Sequence, residues 1–155
     1  MPPLQLALEG DTHIIVTRTF KAPPSHVYRA HLEPDLIRQW MLGTPGWTMP
    51  VCGTESRDGG KFNFEWDDGE GGGFAISGQY IKLTPDQLIE HIERMHIPDP
   101  TPDNHIVTTF APSGAGTLLT MRMTLPDAGS RQQMLDMGVA DGMEESYAKL
   151  DEINF

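Results

Sequence analysis

The sequence predicts an α+β fold in which a run of antiparallel strands precedes a helical end, and three observations carry that expectation. Sixteen glycines and thirteen prolines in 155 residues fall below the roughly 25–30% that marks disorder, so they read as turns between many short elements. Between Trp47 and Leu125, six segments of strand length are separated by Gly- and Asp-rich breaks. From Ser130 onward, apolar residues recur at helical rather than alternate spacing.

The elements follow in order. Thr12–Phe20, rich in β-branched residues and bounded by Gly10-Asp11 and Pro23-Pro24, reads as a first strand. Pro23 and Pro24 suit the first turn of a helix, whose stripe is Val27, Ala30 and His31; Pro34 opens a second short helix carrying Leu36, Ile37, Trp40 and Met41. Six strands are then expected over Trp47–Cys52, Lys61–Trp66, Gly73–Leu83, Gln87–Ile97, His105–Ala111 and Gly116–Leu125. Phe62, Phe64 and Trp66 alternate with Asn63 and Glu65, as a half-buried strand requires. Asp67–Gly73, Thr84–Asp86 and Ala111–Gly114 supply hairpin tips. At the end, Ser130 and Gln133 form a capping-box pattern for a long helix. Val139, Tyr147 and Leu150 lie within about 40° of Met143 at 100° per residue, which makes one apolar stripe. Gly138 and Gly142 interrupt this helix at roughly 1 kcal/mol each, so either it bends there or its bare backbone approaches something closely.

Composition narrows the function. With a formal net charge of −11 and no segregated basic patch, the surface repels phosphate backbones, so nucleic acid is not expected as a partner. Cys52 is the only cysteine, which excludes an intramolecular disulfide and suits a reducing compartment. The first ten residues lack the basic and apolar regions of a secretion signal, and no apolar run approaches ~18 residues. The expectation is one domain over residues 1–155, cytoplasmic, with no membrane insertion.

Reactive groups are sparse. His91 and His96 sit an odd number of positions apart on one strand, which puts them on opposite faces, and no His-Glu-x-x-His occurs, so no metal site is assigned. Gly69–Gly73 leads from strand to strand with no helix behind it and reads as a turn rather than a phosphate loop. Asp67, Asp68 and Glu70 lack the spacing of a calcium loop. Ser77 falls on the strand face opposite Ile76 and Tyr80, and no nucleophile elbow surrounds any serine. Arg18, His91, Glu93 and Arg122 are the polar strand residues worth testing for acid–base chemistry, but no catalytic residue and no cofactor is assigned. The positive signal is a set of aromatic and thioether side chains: Trp40, Trp47, Phe64, Trp66, Tyr80, Met95, Met121, Met123, Met143 and Tyr147. Composition alone reads them as packed core.

The run Thr17–Pro23, followed by Val27-Tyr28-Arg29-Ala30 and Leu36-Ile37-Arg38-Gln39-Trp40, resembles the opening of bacterial proteins related to the C-terminal domain of the activator of Hsp90 ATPase, in the START-like superfamily. Pro50-Val51-Cys52, Arg57–Phe62, Gly78–Ile81, Val107–Phe110, Gly116–Thr120 and Gly142–Glu152 extend the likeness from about Ile14 to Ile153. The sequence departs from that pattern at Trp40-Met41, where many relatives carry two aromatics, and at Glu33, where an Asp cap is usual. The resemblance implies a helix-grip fold: a curved antiparallel sheet of six or seven strands around a long C-terminal helix, with a cavity between them. It turns the aromatic set into a ligand site comprising Trp40, Trp47, Phe64, Trp66, Tyr80, Met95, Met143 and Tyr147. Gly138 and Gly142 become places where helix backbone comes near the sheet or pocket. The expected partner is a hydrophobic or amphipathic small molecule. A chaperone-interacting protein and a cavity enzyme of the polyketide cyclase type are the alternatives.

Overall fold

The computed structural model describes residues 4–41, 46–96 and 99–155. Strands β1 (Gln5–Glu9) and β2 (His13–Phe20) lead into helices α1 (Pro24–Leu32) and α2 (Pro34–Trp40). Strands β3 (Thr48–Thr54), β4 (Lys61–Asp67), β5 (Gly73–Thr84), β6 (Leu88–His96), β7 (Asn104–Ser113) and β8 (Gly116–Thr124) follow, then helices α3 (Ala128–Asp136) and α4 (Val139–Leu150). The eight strands form one antiparallel sheet in the order β1-β2-β8-β7-β6-β5-β4-β3. β3 to β8 are a meander, and β2 joins β8 in register from His13–Thr124 to Phe20–Thr117, bringing the two ends of the chain together. This is the expected α+β helix-grip architecture.

Three features differ from expectation. β1 is an eighth strand, paired with β2 from Gln5–Thr17 to Glu9–His13. Its alternating Leu4, Leu6 and Leu8 carry the period-2 signal, and only Leu4 and Leu6 pack against the core while Leu8 is 50% exposed. The terminal helix is two helices, because Gly138 adopts φ +78° in the left-handed region that L side chains avoid. Asp127, not Ser130, caps the first of them: its carboxylate accepts from the Ser130 backbone N–H at 2.7 Å. The end of the expected sixth strand at Ile97 lies outside the described residues; β6 runs to His96.

Pro24 and Pro34 stand at the starts of α1 and α2, where a missing N–H costs nothing. Glu33 makes no side-chain cap, its carboxylate being held by Arg29 at 2.7 Å. The core gathers inward residues of β2 (Ile14, Val16, Phe20), β4 (Phe62, Phe64, Trp66) and β7 (Ile106, Phe110) under Val27, Ile37 and Trp40 from α1 and α2 and Tyr147 and Leu150 from α4. α3 contributes only the partly buried Met134 and Leu135 to the core, whereas α4 fully buries Tyr147 and Leu150. Among the described residues no helix is long and apolar enough to cross a membrane.

Candidate functional site

Register decides which side chains meet under α4. Phe62 pairs with Gly78 and Gly78 with Glu93; one step along, Tyr80 pairs with His91 and His91 with Ile106; further on, Ile89 pairs with Thr108 and Thr108 with Met121. These inward rows leave a hollow of about 100 Å³. Its sheet wall comprises Phe62, Phe64, Ile76, Tyr80, Ile89, His91, Glu93, Thr108 and Met121, and its cover is His31 of α1, Trp40 and Met41 at the end of α2, and Tyr147 of α4. Gly78 is required in this wall: a Cβ there would stand 2.1 Å from the Ile92 carbonyl oxygen and 2.5 Å from the Phe62 ring, which lies over the bare backbone.

Each ring is tied down. Trp40 donates its indole N–H to the Ala30 carbonyl at 2.9 Å and stacks on Tyr147 at 5.7 Å and 19°. Tyr147 in turn meets Phe20 edge-on at 5.4 Å. Trp66 donates to the Met41 carbonyl at 3.2 Å.

The polar members are the unexpected part. His31 sits on the buried stripe of α1, and its Nδ1 is 2.7 Å from the Val27 carbonyl oxygen one turn earlier. A carbonyl only accepts, so Nδ1 carries the proton and Nε2 is a bare lone pair. No group among the described residues pairs with that buried Nε2. Burial pushes the His31 pKa down to about 4, against an upward pull from the Val27 hydrogen bond. His91 lies 2.8 Å from Glu93 through Nε2, and its buried Nδ1 likewise lacks a partner. Burial raises the pKa of both Tyr80 and Tyr147, so the two phenols keep their protons.

Of the eight residues expected at the site, Trp40, Phe64, Tyr80 and Tyr147 line this cavity. Trp47, Trp66, Met95 and Met143 do not. Trp66 stacks on Phe74 at 4.8 Å, and Trp47 reaches the same ring at 5.8 Å, forming an aromatic strip beside the cavity. Met95 and Met143 are half-buried packing around the core. Gly138 and Gly142 do not mark a close approach, since a Cβ at either would meet nothing within 4 Å.

Among the four polar strand residues, His91 and Glu93 face the cavity. Arg18 faces inward at a distance from it, forming a two-pronged contact at 3.0 Å with Glu144 of α4. Hydrogen bonding from Arg18 holds the Glu144 carboxyl below the ordinary glutamate value. Arg122 forms an exposed pair with Glu9. Ser77 is on the opposite sheet face, 2.8 Å from His96. Burial pushes the Cys52 thiol up, away from the reactive thiolate. No group of three potential metal ligands occurs among the described residues. A wider hollow of about 790 Å³ lies on the other sheet face, along Lys61, Asn63, Ser77, Gln79 and Arg94; it is a solvent-facing trough with no covering helix.

Residues 21–154 match the model of the family described as activator of Hsp90 ATPase homolog 1-like protein. The chain belongs to that family. A solved protein from Rhodobacter sphaeroides is similar at 26% identity and a TM-score of 0.88, over 96% of this chain and 95% of that one. Protein CV1439 from Chromobacterium violaceum is also 26% identical, with a TM-score of 0.74 over 90% and 95% of the two chains. Protein Ms6760 from Mycobacterium smegmatis, at 22% identity and a TM-score of 0.84 over 97% and 96%, shares the fold. No curated protein matches the chain. Family membership is compatible with ligand binding or a chaperone-related role and specifies neither.

Proposed function

We propose that this member of the family binds a small amphipathic molecule, about the size of one substituted ring, in the cavity between the sheet and α4. The observation that carries this reading is the combination, in one hollow, of an aromatic shell with imidazole nitrogens that have no partner among the described residues. Interiors normally close such hollows and pair such atoms. At about 100 Å³ the space is well below the roughly 300–1,000 Å³ of drug-sized sites and near the ~150 Å³ that accepts benzene in an engineered core.

The His91–Glu93 contact at 2.8 Å favours a second reading, in which a carboxylate orients an imidazole that exchanges a proton with a bound substrate. Chaperone binding has less support from the surface. Among the described residues, the exposed large apolar side chains Leu8, Ile81, Leu118, Met137 and Phe155 lie on different elements or beyond them.

The test is titration of the purified protein with toluene and p-cresol, followed by calorimetry and thermal melting. Saturable one-to-one binding that raises the melting temperature is expected, and Ile76→Phe, which fills the hollow, should abolish it in a variant whose circular dichroism is unchanged. Failure of both probes to bind, or full binding to the folded Ile76→Phe variant, would overturn the proposal.

A further inference from the structure

Nothing about an aromatic cavity as such says what polar group its ligand carries, but the wiring of the two histidines does. His31 Nδ1 is committed to the Val27 carbonyl, which leaves Nε2 as an acceptor with no donor opposite it among the described residues. His91 Nε2 is 2.8 Å from Glu93, and its buried Nδ1 has no partner among the described residues. Both residues line the hollow. We infer that the ligand is a hydrogen-bond donor of the phenol class, its ring among the Trp40, Phe62 and Tyr147 rings and its O–H donated to His31 Nε2. The inference rests on the reading of this cavity as a ligand site.

The alternatives fit less well. A carboxylate ligand brings only lone pairs to the His31 Nε2 lone pair. It also meets the negative charge of Glu93 in a confined, poorly solvated space. An ammonium brings three donors and a full charge, whereas the one nearby carboxylate already holds His91. A wholly apolar ring leaves the His31 lone pair unmet. A phenol supplies one donor, stays neutral at pH 7 and has an oxygen that accepts in return, and Tyr80 and Tyr147 both retain hydroxyl protons in the same lining. The His31 ring is held for this role at 5.0 Å from Trp40 and 5.2 Å from Phe110, so it cannot easily turn its nitrogen away.

The experiment compares p-cresol with toluene and 4-methylanisole, which match its ring but have no donor. p-Cresol should bind at least tenfold tighter than either. In His31→Leu, the preference for p-cresol over toluene should fall to within threefold. A second measurement needs no variant: the nitrogen resonance of His31 Nε2 should move on saturation with p-cresol and stay in place with 4-methylanisole. Equal affinity for the three probes, or an unmoved Nε2 resonance in the p-cresol complex, would overturn the donor assignment while leaving the cavity reading standing. Failure of all three to bind would overturn both.

Discussion

Glu144→Gln tests whether α4 is held over the sheet by charge or by apolar packing alone. Arg18 is buried on β2 with a side chain 5% exposed, and it faces Glu144 at 31% and Asp151 at 8%. Glu144 accepts two Arg18 hydrogen bonds at 3.0 Å and the Leu4 N–H at 2.6 Å, while Asp151 stands 3.9 Å from the guanidinium. Removing one partner of a fully buried pair costs about 3–5 kcal/mol. Here Asp151 still offsets the Arg18 charge, and Glu144 is nearly a third open to water, so the expected loss is about 2 kcal/mol. A urea double-mutant cycle with Arg18→Met should return a coupling of at least about 1.5 kcal/mol. The exposed Arg29–Glu33 pair, four residues apart on a helix surface and about half exposed on both sides, should return a clearly smaller coupling. The pH dependence has a definite sign. The Arg18 hydrogen bonds lower the Glu144 pKa from 4.5, so its contribution is complete above that value and is lost as pH falls through the lower folded-state pKa. The gap between wild type and Glu144→Gln should therefore close below about pH 4.5. A coupling no larger than that of Arg29–Glu33, or a gap independent of pH, would refute the argument.

Two further outcomes are expected. His31, with its pKa lowered from 6.5 to about 4, is protonated more readily in the unfolded chain, so stability should fall by up to about 3 kcal/mol between pH 6.5 and 4; His31→Leu should flatten that limb in urea melts. The paired glycines should respond in opposite directions in the same melts. Gly138→Ala should cost about 1–2 kcal/mol because its φ is +78°, whereas Gly142→Ala should stabilise α4 by up to about 1 kcal/mol, since nothing lies within 4 Å of the added methyl.

How much was legible in the sequence depended on whether one local signal sufficed. Pro24 and Pro34 fix helix starts, and alternation of Phe62, Phe64 and Trp66 fixes the inward face of β4. The phase of β6 is different: Leu88 and Ile92 are apolar on one face, and Ile89 and Met95 on the other. Only pairing with β5, which sets Ile76 against Met95 and Tyr80 against His91, turns the odd positions inward and carries His91 and Glu93 with them. Glycine cost told that the terminal helix was perturbed but not how, because bending, breaking and close approach all begin from the same missing side chain. Whether an aromatic ring lines a void or packs beside it depends on where its neighbours end. Trp40 and Trp66 are equally buried at 4%, yet only Trp40 faces the hollow, since Phe74 covers the other ring.

The hollow persists because its walls are held by contacts that do not depend on filling it. A hollow of about 100 Å³ deprives its lining of packing contacts, and unanchored rings would collapse to recover them. Collapse would require Trp40 to leave the Ala30 carbonyl, or Tyr147 to leave Phe20 and Trp40. It would also move α4, which is pinned from outside the cavity by Arg18 on Glu144 and by the Lys21 N–H on Asp151 at 2.9 Å. On the other flank, Thr54 of β3 donates to the Leu32 carbonyl at 2.8 Å and fixes the end of α1 against the sheet. Each of these movements breaks a hydrogen bond or ring contact that offsets the recovered packing. A ligand entering such a site orders itself but not the walls. Its affinity therefore depends on how well it fills the space and meets the unpaired nitrogens rather than on closing the protein around it.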